Sequence, residues 1–346
     1  MNNPFNIAFG RKPYNYISRL SLTNKVINTF DSDYPSSQVY MISGVRGAGK
    51  TVLMTSITKE LSTRDEWICV ELNPELDLLE ELAAKLYSIP ALKSIFIKAK
   101  IDLSFWGIGI SVENGVVLTN IESAIEAMLS ELKKHGKKVL VAIDEVVPNK
   151  NVKVFSGSFQ IFVRHEYDVF LLMTGLYENI YNLQNVDTLT FLYRAPKLVL
   201  EPLSINAVAL SYKEVFGISD EEAALMAKET KGYAFAYQVL GYLKWEHKTR
   251  TVRDLYPEYD SYLAEYVYDK IWHELSDTDI KFLVVIAMKE EMRTRDIISE
   301  LKINSNNMSA YRDRLLKKGL IFSPRYGYLS CALPRMDEYI RLRLMI

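Results

Sequence analysis

Gly44, Gly49, Lys50 and Thr51 stand at the spacing G-x-x-x-x-G-K-T, with a further glycine, Gly47, inside the loop. That spacing suits phosphate. Glycines let the backbone curl until successive N–H groups face one point, and the lysine and hydroxyl that follow supply a positive charge and a magnesium ligand. Gly44, Val45, Arg46, Gly47, Ala48, Gly49, Lys50, Thr51 and Val52 are therefore expected to hold the phosphates of a nucleotide. Lys50 would reach the β- and γ-phosphates and the Thr51 hydroxyl would bind Mg2+. The flanks agree: "QVYMIS" reads as a short apolar strand, and "TVLMTSITKEL" as a helix with Val52, Leu53, Ile57 and Leu61 turned inward.

A second group of chemically able residues follows an apolar run. "KKVLVAIDEV" has five uninterrupted apolar residues, Val139 to Ile143, as a strand buried on both faces of a parallel sheet requires. Asp144 at its carboxyl end would hold the water shell of Mg2+, and Glu145 would polarise an attacking water. A merely solvated acidic strand end is the competing reading, weakened by the phosphate loop upstream. "DVFLLMTG" is a third buried strand ending at Thr174. Its hydroxyl either contacts the γ-phosphate or the attacking water, or caps the strand.

The elements that would position these groups alternate. A helix near 21–30, strand 38–43, helix 50–61 and strand 66–72 precede helical residues 75–99. Helix 119–135, strand 138–144, helix 152–166, strand 168–174, a further helix and strand 197–203 ("KLVLEPL") follow. Such alternation predicts an α/β fold with a parallel sheet, and nucleotide at the carboxyl ends of its strands. One segment departs from it. Residues 101–120 alternate around Asn114-Gly115, a strong hairpin signal, which would either extend the sheet or meet a partner.

Beyond Pro202 only helical patterns occur for about 70 residues, with Tyr233, Tyr237, Leu240 and Leu243 as a core stripe. They form an all-helical lid. From Ser276 onward three helices and two short strands around Arg325-Tyr326-Gly327 predict a winged helix, with Thr294 capping the helix "RDIISELK". Met308, Tyr311 and Leu315 share one face of its third helix, leaving Asn307, Arg312 and Lys318 elsewhere. With Arg325 on the wing, these are the residues expected to meet double-stranded DNA. A winged helix that packs against protein is the alternative. The expected division is an ATPase core at 1–203, a lid at 204–275 and a winged helix at 276–346.

Bulk properties limit the remaining choices. The 346 residues are 49% hydrophobic and 25% charged, the balance of a globular protein of two or three domains. A net charge of −1 argues against a broadly basic nucleic-acid coat, yet residues 276–346 hold 13 Lys and Arg against 9 Asp and Glu. The two cysteines, Cys69 and Cys331, have neither metal nor redox-motif spacing and read as reduced thiols. "MNNPFNIAFGRKP" lacks the apolar core of a signal peptide, and no run nears 18 apolar residues, so a cytoplasmic protein without membrane contact is expected.

Taken together, these motifs resemble bacterial and archaeal P-loop ATPases of the AAA+/STAND class, with a core, lid and winged helix like those of origin-recognition initiators. "GVRGAGKT" and "VAIDEV" match the family's phosphate and magnesium motifs, and "NPFNIAFGRKPYNYISR" looks like its N-terminal segment near the adenine. The C-terminal "YRDRLLKKGLI", "RYGYL" and "ALPRMDEYIRLRL" are similar to its winged-helix end. The resemblance implies ATP or ADP with Mg2+ as cofactors and Thr174 at the first sensor position. It places Arg194 near a trans-acting arginine, unless that residue makes a structural ion pair. The lid start "GYAFAYQ" has Ala234 where many relatives carry proline, with no arginine nearby. The implied function is a slow, Mg-dependent ATPase switch that presents or hides the winged helix to DNA. The alternative is a signalling or scaffolding ATPase whose winged helix binds protein and whose nucleotide state governs self-association.

Overall fold

The structure, a computed structural model, describes residues 2–8, 13–108, 116–117, 120–303 and 305–345. The chain forms two compact units: 19–43 with 50–199, and 1–18 with 44–49 and 200–346.

The first unit is built on a parallel sheet. Its strands are β1 (Val39–Ser43), β2 (Trp67–Leu72), β5 (Lys138–Ile143), β6 (Val169–Gly175) and β7 (Lys197–Val199), with the two-residue strands β3 (Ile101–Asp102) and β4 (Val116–Val117) apart from it. The order is β2-β5-β6-β1-β7 and every pairing is parallel. The central strands β1, β5 and β6 are the apolar runs, because a strand covered by helices on both faces has no side to show to water. Side-chain oxygens of Asp77, Asn120 and Asn149 accept the first free N–H groups of the helices Leu78–Ser88, Ile121–Lys134 and Lys150–Arg164. Leu82, Ile125, Phe155 and Phe159 pack the helices onto the sheet with no exposed surface to speak of.

One expectation fails here. The strand expected at 197–203 ends at Val199. Pro202 has no N–H for a ladder, and the Leu203 N–H bonds the Gly232 carbonyl at 2.7 Å instead. In the 101–120 segment, β3 and β4 pair in parallel, Ile101 with Val116 and Asp102 with Val117. The Asn114-Gly115 turn itself lies outside the described residues.

The second unit has the helices Ile205–Phe216, Asp220–Glu229, Ala234–Glu246 and Tyr256–Leu263, the last continuing through a π-helical stretch, Ala264–Tyr268, into Asp269–His273. The helices Asp277–Ala287, Thr294–Leu301, Ser305–Lys317 and Met336–Leu344 follow, with a three-stranded antiparallel sheet. Its strands are β8 (Met292–Arg293), β9 (Ile321–Phe322) and β10 (Tyr328–Cys331), β10 in the middle. One hydrophobic core runs through all of it, from Tyr237 and Leu240 to Phe282, Leu315 and Met336. The N-terminal segment belongs to this unit. The Phe5 ring lies so close to Gly241 that a Cβ there would meet Phe5 Cζ at 2.7 Å, and Gln238 bonds both Asn6 N and the Asn15 carbonyl. Met308 and Leu315 are buried and Tyr311 packs on Phe282, as their spacing predicts. Thr294 does not cap its helix. Arg293 occupies that position, and the Thr294 hydroxyl and N–H both donate to the Gly327 carbonyl, tying the helix start to the β9–β10 turn. Among the described residues, no helix is long and apolar enough to cross a membrane.

Candidate nucleotide site

Parallel pairing decides where the acidic residues fall. Ile143 lies opposite Met173 in the β5–β6 register, so Asp144 and Thr174 emerge side by side at the carboxyl end of the sheet. Thr174 is 0% exposed and its hydroxyl donates to Asp144 Oδ1. The helix Lys50–Leu61 brings a second hydroxyl: Thr51 Oγ1 donates to Asp144 Oδ2 at 2.7 Å. Both carboxylate oxygens are thus engaged by hydroxyls from separate elements. Lys50 opens that helix and is 8% exposed, so its charge is drawn in from solvent.

Glu145 has a left-handed backbone, φ +52°. Its N–H reaches Thr174 Oγ1 at 3.2 Å and Asp144 Oδ1 at 3.1 Å, and Val146 N–H resumes the ladder on the Thr174 carbonyl at 2.8 Å. The turn of the backbone between two tied neighbours leaves the Glu145 side chain exposed. Arg194 ends the helix Thr190–Arg194, just before the edge strand β7. It is exposed and makes no ion pair among the described residues.

The glycine loop, 44–49, is part of the second unit. Gly47 and Gly49 have φ of +76° and +91°, conformations open to glycine and costly to other residues. Gly47 is also closely approached: a Cβ there would stand 2.9 Å from Tyr233 Cζ and 3.0 Å from Phe235 Cβ. The Tyr233 hydroxyl donates to the Arg46 carbonyl, and the Phe235 N–H donates to the Gly47 carbonyl at 3.1 Å. Burial drives the Tyr233 phenol far above its ordinary range, against a smaller opposing pull from Arg46, so it remains a neutral donor. Arg46 itself pairs with Glu274 at 2.9 Å. Spacing marks Tyr233 only as a member of a core stripe, and nothing in the sequence marks Glu274.

The residues expected to meet DNA separate into distinct groups. Lys318 is corrected: its ammonium pairs with the buried Asp279 at 3.1 Å and its side chain is only 12% exposed, so it is an internal strut, not a phosphate ligand. Arg312 pairs with its neighbour Asp313 at 3.0 Å. Arg325 stays 61% exposed, paired with Glu291 and lying 3.8 Å over the Tyr328 ring. The Asn307 side chain lies outside the described residues.

Comparisons with known proteins bear on the fold. A family model described as a domain of unknown function (DUF8462) matches residues 265–340. No curated protein matches the chain. Among solved structures, a Walker-type ATPase of Pyrococcus abyssi is similar over 94% of this chain and 95% of its own, with 15% identity and a TM-score of 0.65. The ORC2 protein of Aeropyrum pernix, solved as ADPNP–ADP complexes, is similar over 98% of both chains, with 14% identity and a TM-score of 0.58. The chain is a mixed α/β protein with a five-stranded parallel sheet, and its fold is that of the archaeal Walker-type and ORC P-loop ATPases.

Proposed function

We propose that this protein binds and slowly hydrolyses Mg-ATP and uses nucleotide state to control DNA binding by residues 276–346, acting as a winged helix. The observation that carries the nucleotide reading is the Thr51–Asp144–Thr174 cluster. It gathers two hydroxyls around a carboxylate at the carboxyl end of a parallel sheet, and the glycines that precede Lys50 in the chain have a backbone that suits phosphate. The donor set fits Mg2+, which prefers hard oxygen ligands and retains part of its water shell. The fold supports the same reading, since the similar Aeropyrum protein was solved with ADPNP and ADP.

In this reading the N–H groups of Gly44 through Val52 and the Lys50 ammonium hold the phosphates, while Thr51 and Asp144 hold Mg2+ directly or through water. The metal supplies neutralisation of charge on the phosphoryl oxygens. Glu145, exposed at the strand end, orients and deprotonates the attacking water. Thr174 bonds the γ-phosphate or that water once its hydroxyl leaves Asp144. Arg194, exposed and without an ionic partner among the described residues, would serve a neighbouring copy. For DNA, the exposed Arg325 on the β9–β10 turn would contact phosphate, and Arg312, paired with Asp313, would be a second candidate.

The test combines nucleotide and duplex binding. Lys50→Ala should abolish Mg-ATP binding, and Glu145→Gln should bind ATP but fail to hydrolyse it. Duplex affinity measured with Mg-ATP, Mg-ADP and no nucleotide should differ between states and fall with salt, at a slope of about −0.9 per phosphate contacted. Normal turnover by Glu145→Gln removes Glu145 from the mechanism; no duplex binding at low salt removes the DNA reading. One observation favours the alternative of a protein-binding, STAND-type ATPase. With Lys318 turned inward and Arg312 beside Asp313, the helix Ser305–Lys317 presents less positive charge than its sequence promises. Nucleotide-dependent self-association without DNA would support that alternative.

A further inference from the structure

The helix that opens on Ala234 contains no arginine, so it has no guanidinium to extend toward a nucleotide's phosphates. It touches the glycine loop in another way. The Tyr233 hydroxyl holds the carbonyl of Arg46, and the Phe235 N–H, one of the free donors at the start of the helix Ala234–Glu246, holds the carbonyl of Gly47. Each peptide here is trans, so fixing a carbonyl fixes the N–H across the bond in the opposite direction. Holding the Arg46 carbonyl therefore aims the Gly47 N–H away from Tyr233.

We propose that Tyr233 is a positioning residue for nucleotide binding: it orients the phosphate loop from behind, through the Arg46–Gly47 peptide, in place of a lid arginine. Three contacts of the same loop extend the arrangement. A Cβ on Gly47 would run into Tyr233 and Phe235, so the loop and the lid fit only with glycine there. The Arg46 guanidinium pairs with Glu274, the residue that ends the helix Asp269–His273 two positions before Ser276. Val45 faces Gly319, the turn that ends the helix Ser305–Lys317, within 3.5 Å of where a Cβ would stand. A shift of the loop on binding phosphate is thereby passed to the lid by Tyr233 and to the C-terminal segment by Arg46.

This inference rests on the nucleotide reading, and its test separates the two. Tyr233→Phe in the full chain removes one oxygen and keeps the ring against Gly47. Binding of N-methylanthraniloyl-ATP and -ADP with Mg2+ should weaken about tenfold, the order expected for one lost hydrogen bond. KM for ATP should rise with it while kcat stays within about twofold, because Glu145 and Thr174 are untouched. A merely structural tyrosine would instead lower the melting temperature of the nucleotide-free protein and leave KM of the folded fraction unchanged. That result overturns the proposal. If Tyr233→Phe does not fold, Glu274→Gln serves, since Glu274 is partly exposed. It should weaken the same binding about threefold, the scale of a partly exposed ion pair, and an unchanged affinity overturns the proposal equally. Absence of any binding by the unaltered protein would instead defeat the nucleotide reading itself.

Discussion

Glu145 occupies a left-handed backbone position that an L-residue other than Asn or Asp rarely adopts, and the carboxylate proposed to act on water sits on that strained unit. The strain costs about 1 kcal/mol or more, and it survives because Asp144 and Val146 on either side are tied to Thr174. Glu145→Gly removes both the strain and the carboxylate. It should raise stability by roughly 0.5–1 kcal/mol in denaturant melts and abolish ATP turnover together. A destabilised Glu145→Gly protein would mean that the side chain, not the backbone, has the structural role. At this scale the sequence was informative wherever chemistry is local. Lys50, Thr51, Asp144 and Glu145 declare themselves by neighbours one to five positions away. Tyr233 does not, since its partner in the glycine loop is 187 residues distant and the bond uses a carbonyl that every residue possesses.

Asp279 shows what the helix Asp277–Ala287 contributes beyond its apolar face. Its carboxylate is 2% exposed and accepts from Arg314 and Lys318, both contributed by the chain at the end of the helix Ser305–Lys317. Burial pushes its pKa up, but the hydrogen bonds and charges of Arg314 and Lys318 outweigh burial and hold it below the usual carboxylate range. A depressed folded pKa gives stability that is complete above the unfolded value, about 3.9, and lost as pH falls through the folded one. The described C-terminal helices should therefore loosen below about pH 4, and Asp279→Asn should lose that acid-dependent part of the transition. Asp279→Ala should cost about 2–3 kcal/mol at pH 7 by leaving Arg314 and Lys318 without their shared partner. The measurement is urea unfolding of each variant from pH 3 to 7; an unaltered pH profile in Asp279→Asn would refute it. Periodicity had placed Lys318 on an outer face. Periodicity assigns a direction to the Cα–Cβ bond, but a four-carbon side chain can bend back to a buried acid, and the acid was 39 residues away. Thr294 and the strand 197–203 went astray for a like reason: Gly327 and Gly232 supplied partners that no local pattern reveals.

The alternation of strands and helices in 19–199 was readable because central parallel strands must be continuously apolar, and β1, β5 and β6 are. What alternation could not show is that the glycine loop, although contiguous with β1 and the helix Lys50–Leu61, makes its contacts with 200–346. Loop contacts come from backbone carbonyls and glycine surfaces, which leave no hydrophobic pattern. The two units have separate hydrophobic cores, one around Leu171 and Phe159 and the other around Leu240 and Phe282. Separate cores give separate cooperative units, so heat should unfold the protein in two transitions instead of one. Leu171→Ala and Leu240→Ala each remove a wholly buried side chain, at about 2–5 kcal/mol apiece. In scanning calorimetry each should lower a different transition, and saturating Mg-ATP should raise whichever unit contributes the binding contacts. One single transition, lowered alike by both substitutions, would refute independent cores.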